Sequence, residues 1–215
     1  RCVSIPNGIR FEPVPAVDRP AKLAELGLPP DAQVILCVGD LRRQKGHEIA
    51  VAAMAAVLRQ APSAHLVVAG EGEERARLEQ RSALSAPGHV HLLGAREDVP
   101  ELLACCDVFC QPSLWEGCPY ALLEAASAGA AVVGSAVGGI SDVIEDGRSG
   151  WLVPAGDPSE LARALLEALG SARERERRGR EAARYVRQRH SLDQMLAQTA
   201  AVYEEVASGQ RGART

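Results

Sequence analysis

Glu116 and Glu124 bracket the stretch best suited to chemistry in this sequence, "PSLWEGCPYALLEAASAGAAVV" at residues 112–133. An apolar run ends at Gln111, a loop carries Glu116 and Gly117, and a helical pattern begins near Pro119. The amino end of a helix that follows a strand presents free amide groups to the crevice where open α/β sheets bind ligands. Glu116 falls in the loop and Glu124 in the second turn of the helix. Two carboxylates beside an anion-binding helix end suit a ligand that carries both phosphate and vicinal hydroxyls. Taken alone, the same pair reads as a surface residue and an ordinary helix residue.

A second segment, "VGDLRRQKGHEIA" at 38–50, sets Arg42, Arg43 and Lys45 in the loop after an apolar run and opens a helix near Gly46. Cations at the carboxyl end of a parallel strand are placed to neutralise a diphosphate. The segment is not a phosphate-binding P-loop, because G-x-x-x-x-G-K-[ST] is absent. "GEGEER" at 70–75 fails the dinucleotide fingerprint, because Arg75 stands where that pattern needs a small residue. No Asp-x-Asp pair occurs in the chain. A site that binds a nucleotide diphosphate without a metal is therefore expected, with Lys45, an arginine and helix amides opposing the leaving-group charge.

The elements that must hold these groups alternate. "QVILCVG" (33–39), "AHLVVAG" (64–70), "HVHLL" (89–93), "DVFCQPS" (107–113), "AAVVG" (130–134) and "GWLV" (150–153) read as strands, with helical patterns near 46–60, 73–84, 98–105, 119–128 and 139–145. Nearly all-apolar strands alternating with helices predict a Rossmann-like, doubly wound parallel sheet covered on both faces. Asp157-Pro158-Ser159-Glu160 marks a helix start, and Leu161, Ala164, Leu165, Ala168 and Leu169 form its apolar stripe. Ser191 to Gln194 resembles a second capping box, followed by Leu192, Met195, Leu196, Val202, Tyr203 and Val206 at helical spacing. Residues 173–189, with eight arginines and three glutamates, read as a solvated helix face.

The expected organisation is a Pro-rich entry segment over 1–30, a nucleotide-binding domain over 31–190, a C-terminal helix over 191–207 and a flexible tail over 208–215. The start at Arg1, without Met or a signal-type stretch, suggests a piece of something longer. Aromatic residues make up 3% and the net charge is -4, which argues against a nucleic-acid partner. No apolar run approaches the roughly 20 residues that cross a bilayer, so any membrane contact would be peripheral. Six cysteines without a C-x-x-C pair fit buried thiols in a reduced, cytoplasmic setting. His89 and His91 share a strand face, but two ligands do not make a zinc site.

In order along the chain, "IPNGI" (5–9), "VGDLRRQKG", "VVAGEGEERARLE" (67–79), "HLLGAREDVPELLACCDVFCQPS" (91–113), the pair Glu116 and Glu124, and "GGISDVIEDGRSGWLVPAGD" (138–157) resemble the retaining glycosyltransferases called group 1, or family 4. The resemblance implies the C-terminal, donor-binding half of a GT-B enzyme, one of two facing Rossmann-like domains. It implies transfer of a hexose-type sugar from a nucleotide diphosphate sugar, with retention at the anomeric carbon and no metal cofactor. Glu116 would contact the sugar hydroxyls, Glu124 the ribose and Lys45 the diphosphate. Gly117, Cys118, Tyr120, Ala121 and Leu122 would offer amides near sugar and phosphates, and backbone around Arg96 would receive the base, with Gly70 also counted at the donor.

Two departures stand out. Asp40 occupies the position of the family's usual arginine, so Arg42 or Arg43 would have to replace it. Asp142 ends a stretch that usually ends in Glu. The family's N-terminal acceptor domain is missing, so little transfer is expected from the chain by itself. The alternatives are a non-catalytic nucleotide- or protein-binding module with a degenerate fold and a related sugar-nucleotide epimerase.

Overall fold

A computed structural model describes residues 2–208. The tail expected beyond Ser208 lies outside the described residues, as does Arg1.

Strand and helix alternate as β1 (Gln33–Val38), α2 (His47–Val57), β2 (Ala64–Ala69), α3 (Arg75–Ser85), β3 (Val90–Gly94), α4 (Val99–Cys105), β4 (Val108–Gln111), α5 (Tyr120–Ser127), β5 (Val132–Ser135), α6 (Gly138–Ser141) and β6 (Trp151–Val153). The strands form one sheet in the order β3-β2-β1-β4-β5-β6. Every pairing is parallel, including Ile35 opposite Val108 where β1 meets β4. The winding reverses between β1 and β4. Their carboxyl ends part there, and ligands of doubly wound sheets bind at such a point.

Alternate strand residues feed opposite cores. Ile35, Cys37, Leu66, Val68, Cys110 and Val133 pack under α2 and α7 (Pro158–Gly170) with Val51, Met54, Leu161 and Leu165. Val34, Leu36, Val67, Phe109 and Val132 face the other way, against α4, α5 and α8 (Ala172–Arg189) with Leu102, Leu122, Leu123, Ala182 and Val186. With both faces covered, the strands have no polar side, which is why they read as continuous apolar runs.

Four elements differ from expectation. The entry segment is not only a connector. It contains α1 (Arg19–Glu25), capped by the Asp18 carboxylate with Pro in its first turn, and Leu23 is fully buried there. This is the same acid-then-proline start as Asp157-Pro158, whose carboxylate accepts from the Ser159 and Glu160 amides. The helix expected near 139–145 closes after Ser141. The arginine-rich α8 is solvated over most of its length, but Arg178 turns inward. Its guanidinium lies 3.9 Å over the Trp151 ring and donates to the Gly150 carbonyl and to Glu167. The last helix, α9 (Leu192–Ala207), is capped by Ser191 as the capping box predicts, yet it buries none of its residues.

Candidate active site

Two loops meet where β1 and β4 part. Residues 39–46 leave β1, pass through a short 3-10 turn (Arg43–Lys45) and enter α2 at Gly46, which has φ 66°. A side chain on Gly46 would run into the Pro112 carbonyl, so both the left-handed turn and the close approach require glycine. The loop after β4 is tied to this one by hydrogen bonds. The Leu114 amide donates to the Gln44 carbonyl at 2.8 Å, and the Gln44 side chain donates to the Trp115 carbonyl at 3.0 Å.

This packing brings two of the expected groups into contact. Lys45 Nζ lies 2.6 Å from Glu116 Oε1, with the Glu116 side chain 6% exposed and Lys45 22% exposed. The same oxygen accepts from Ser113 Oγ at 3.1 Å, and Ser113 Oγ accepts from Gln111 Nε2 at 2.8 Å. The aliphatic stem of Lys45 lies over Gly39, which leaves it room. Beneath the loop, the Glu116 carbonyl accepts from the Gly139 amide at 3.2 Å, and any side chain on Gly139 would strike the Gly117 carbonyl. The Cys118 carbonyl accepts from Asn7 Nδ2 at 2.8 Å, so the "PNG" turn of the entry segment grips the site loop. Helix α5 then starts behind Pro119 without a side-chain cap, which leaves its first amides, among them Tyr120, Ala121 and Leu122, facing out of the helix end.

The other expected residues lie around this pair in separate settings. Arg42 and Arg43 line a cavity of about 540 Å³ at the amino end of α2, together with His47, Arg77 and Leu114. Arg42 Nε stands 3.7 Å from Asp40, both side chains being about two-thirds exposed at 67% and 66%. His47 is buried with neither ring nitrogen hydrogen-bonded, and burial pulls its pKa down to about 4. Glu124 faces the opposite side of the sheet, in a cleft of about 140 Å³ formed with Ile9, Pro13, Val14, Val99 and Leu103 and bordered by Arg10 and Glu12. Its residue surface is largely exposed, but the apolar wall strips enough water from the carboxyl to raise its pKa. Gly70 sits at the end of β2 pressed on the Gly39 carbonyl, where no side chain fits.

Arg96 carries structure at the end of β3. Its guanidinium donates to Asp98 and Glu25, while buried Lys22 donates to Asp98 at 2.6 Å, Glu101 at 2.7 Å and Glu25 at 3.0 Å. These cations hold the Asp98 carboxyl well below the usual range. The cluster fixes the 95–98 loop to α1 and occupies the Arg96 side chain. Another cavity, of about 550 Å³ between the 141–149 turn and α8, contains none of the expected site residues, and of its charged residues Arg148 pairs with Glu145 and Arg184 with Glu181.

Sequence reasoning passed over Ser113, Gln111 and Lys22. Ser113 and Gln111 sit inside an apolar strand ending, "DVFCQPS", where two polar residues two apart were the available signal. Lys22 lay in the segment taken for a connector.

Comparison with known proteins agrees with this fold. The family model for "Glycosyl transferases group 1" matches residues 18–185. The chain is 31% identical to the phosphatidyl-myo-inositol mannosyltransferase of Mycobacterium leprae over 96% of its own length and 54% of that protein's. It is 31% identical to the D-inositol 3-phosphate glycosyltransferase of Streptomyces bingchenggensis, over 94% of this chain and 47% of that one. Among solved structures, the sucrose-phosphate synthase of Thermosynechococcus elongatus superposes with TM-score 0.84 at 28% identity, over 95% of this chain and 52% of that one. HepE of Anabaena, solved with UDP and glucose, superposes with TM-score 0.85 at 24% identity, over 93% and 56%. The chain thus spans about half the length of the relatives it matches.

Proposed function

The chain belongs to the group 1 glycosyltransferases and has the Rossmann-like fold of one GT-B half, and we propose that it binds the nucleotide diphosphate sugar of a retaining enzyme whose acceptor domain is the half not included here. The observation that carries this reading is the Lys45–Glu116 pair, held at the point where β1 and β4 part and beside the uncapped start of α5. A diphosphate laid against α5 meets the helix amides and the Lys45 ammonium, both of which oppose the charge that grows on the leaving group. Glu116, fixed from below, is placed to accept hydrogen bonds from the hydroxyls of a hexose-type sugar. It acts by orienting the sugar, not as a nucleophile. Glu124, further along α5, accepts from the ribose hydroxyls. No metal is needed to bridge the phosphates, since the chain offers cations and amides and no Asp-x-Asp pair.

Calorimetry with UDP and uridine tests this reading, UDP being the nucleotide held by HepE. Lys45→Ala lowers UDP affinity about tenfold or more, roughly 1.4 kcal/mol, and leaves uridine unchanged. EDTA leaves UDP affinity where it was, and a loss restored by magnesium or manganese would refute the metal-free site. A second reading, a binding module that no longer takes part in transfer, draws on Asp40, an anion beside the proposed diphosphate. It moves ahead if Arg42→Ala and Arg43→Ala are both silent and Asp40→Arg raises UDP affinity by about tenfold.

A further inference from the structure

Three buried polar side chains form a directed chain, Gln111 to Ser113 to Glu116, that ends on the carboxylate to which the site lysine also donates. Gln111 is 2% exposed and Ser113 fully buried. The direction of the chain follows from its donors and acceptors. The Glu116 carboxylate only accepts, and Lys45 only donates. The single Ser113 proton therefore goes to Glu116 Oε1 at 3.1 Å, and Ser113 Oγ must accept from an N–H, which the Gln111 amide supplies at 2.8 Å. The opposite end of that amide, Oε1, is buried without a partner. A buried acceptor left unpaired is unfavourable, so the amide keeps this orientation because the Ser113 bond offsets that loss.

We infer that Ser113, itself oriented by Gln111, is a positioning residue for the donor diphosphate: it fixes the Glu116 carboxylate, and that carboxylate in turn holds the Lys45 ammonium at one point beside α5. This rests on the reading that Lys45 receives the diphosphate. Lys45 is otherwise held loosely. Its stem rests on Gly39, which offers no side chain, and Glu116 Oε1 is the group its ammonium meets at 2.6 Å. A lysine is a point charge on a flexible stem, so its use at a phosphate depends on what pins it. Without the Ser113 hydroxyl, Glu116 loses one of the two donors on Oε1, and the ion pair can swing as a unit away from the loop.

A double-mutant cycle read by calorimetry with UDP tests the inference. Ser113→Ala should lower UDP affinity about fivefold while uridine affinity stays unchanged, and in the Lys45→Ala background the same substitution should change UDP affinity by less than twofold. A merely structural role would lower both ligands and would act equally in both backgrounds. Gln111→Met, close in volume, removes the amide but keeps the hydroxyl. It gives a smaller loss of the same pattern and serves if Ser113→Ala does not fold. Full UDP affinity in Ser113→Ala, with Lys45→Ala impaired, overturns the inference alone. Lys45→Ala with unchanged UDP affinity overturns it together with the diphosphate reading. Equal losses in both backgrounds reduce Ser113 to a packing residue.

Discussion

Glu116 and Glu124 share one motif and one loop-helix unit, yet they live in opposite physical conditions. Glu116 is almost fully buried and already occupied, accepting from Lys45 and Ser113. Glu124 is exposed, faces a mostly apolar cleft that Arg10 and Glu12 also line, makes no ion pair among the described residues, and has its pKa raised by desolvation. The first carboxylate belongs to the fold as much as to the ligand. The second is left for a ligand to satisfy. The difference teaches that spacing of eight residues places two acids near one helix end without giving them one job. Losing a buried, paired carboxylate strands the donors that meet it, whereas an unpaired one at a cleft is a mild liability until something donates to it.

The largest expected effect breaks that comparison on the side of Glu116. Glu116→Ala removes the acceptor from a buried hydroxyl and from a partly buried ammonium. It should lower the unfolding free energy by about 3 kcal/mol, read by urea denaturation of the empty chain. Glu124→Ala, in the same measurement, should stay within about 0.5 kcal/mol of the wild type. Equal losses would mean that the two acids are structurally alike.

A smaller effect sharpens the other side. Glu124→Ala should weaken UDP binding by about 2 kcal/mol, the scale of hydrogen bonds to a charged group and roughly thirtyfold in affinity. Calorimetry on the folded variant measures it. Unchanged affinity would take Glu124 out of the site and leave its cleft unexplained.

Much of this was legible before any coordinates. The strands declared themselves because a sheet covered on both faces leaves no polar side to interrupt the apolar runs, and both Asp157 and Ser191 cap as their patterns predict. The capping signal says only where a helix starts. Asp157 opens a helix with six buried residues, whereas Ser191 opens one with none, because burial of a stripe depends on a partner surface that local sequence does not encode. Helix α1 was hidden by the prolines ahead of it. The contact of Lys45 with Glu116 spans 71 residues and depends on Gly46 pressing against Pro112, a long-range fit that no spacing rule contains. For the same reason Ser113 was invisible as a partner, and the separation of Arg42 and Glu124 into clefts on opposite faces could not be read from their proximity to the loops.

The smallest effect concerns protons. Desolvation raises the Glu124 pKa from its ordinary 4.5, so the empty folded chain disfavours the ionised form. Between the unfolded value and the raised one, the folded state holds more protons than the unfolded state, and stability therefore falls as pH rises through that window. Because Glu124 stays in contact with water the stability change is slight, and the affinity is the better readout. Ribose hydroxyls donate to the carboxylate, which favours its ionised form. UDP binding should then release a proton near the raised pKa, and affinity should fall as pH drops through it. The terminal phosphate of UDP also titrates in this range, with a pKa near about 6 for phosphate monoesters. His47 and His65, both pulled down to about 4 by burial, cost stability as pH falls from the ordinary histidine value of 6.5 towards 4, where the unfolded chain takes up protons that the folded one does not. Those contributions act on wild type and Glu124→Gln alike, so the ratio of their affinities isolates Glu124. That ratio should shrink as pH falls from about 7.5 to about 5, since the amide keeps its hydrogen-bonding capacity at every pH while the carboxylate loses charge. A constant ratio would mean that the carboxyl stays ionised throughout or does not touch the nucleotide, and unchanged binding by Glu124→Ala would select the second explanation.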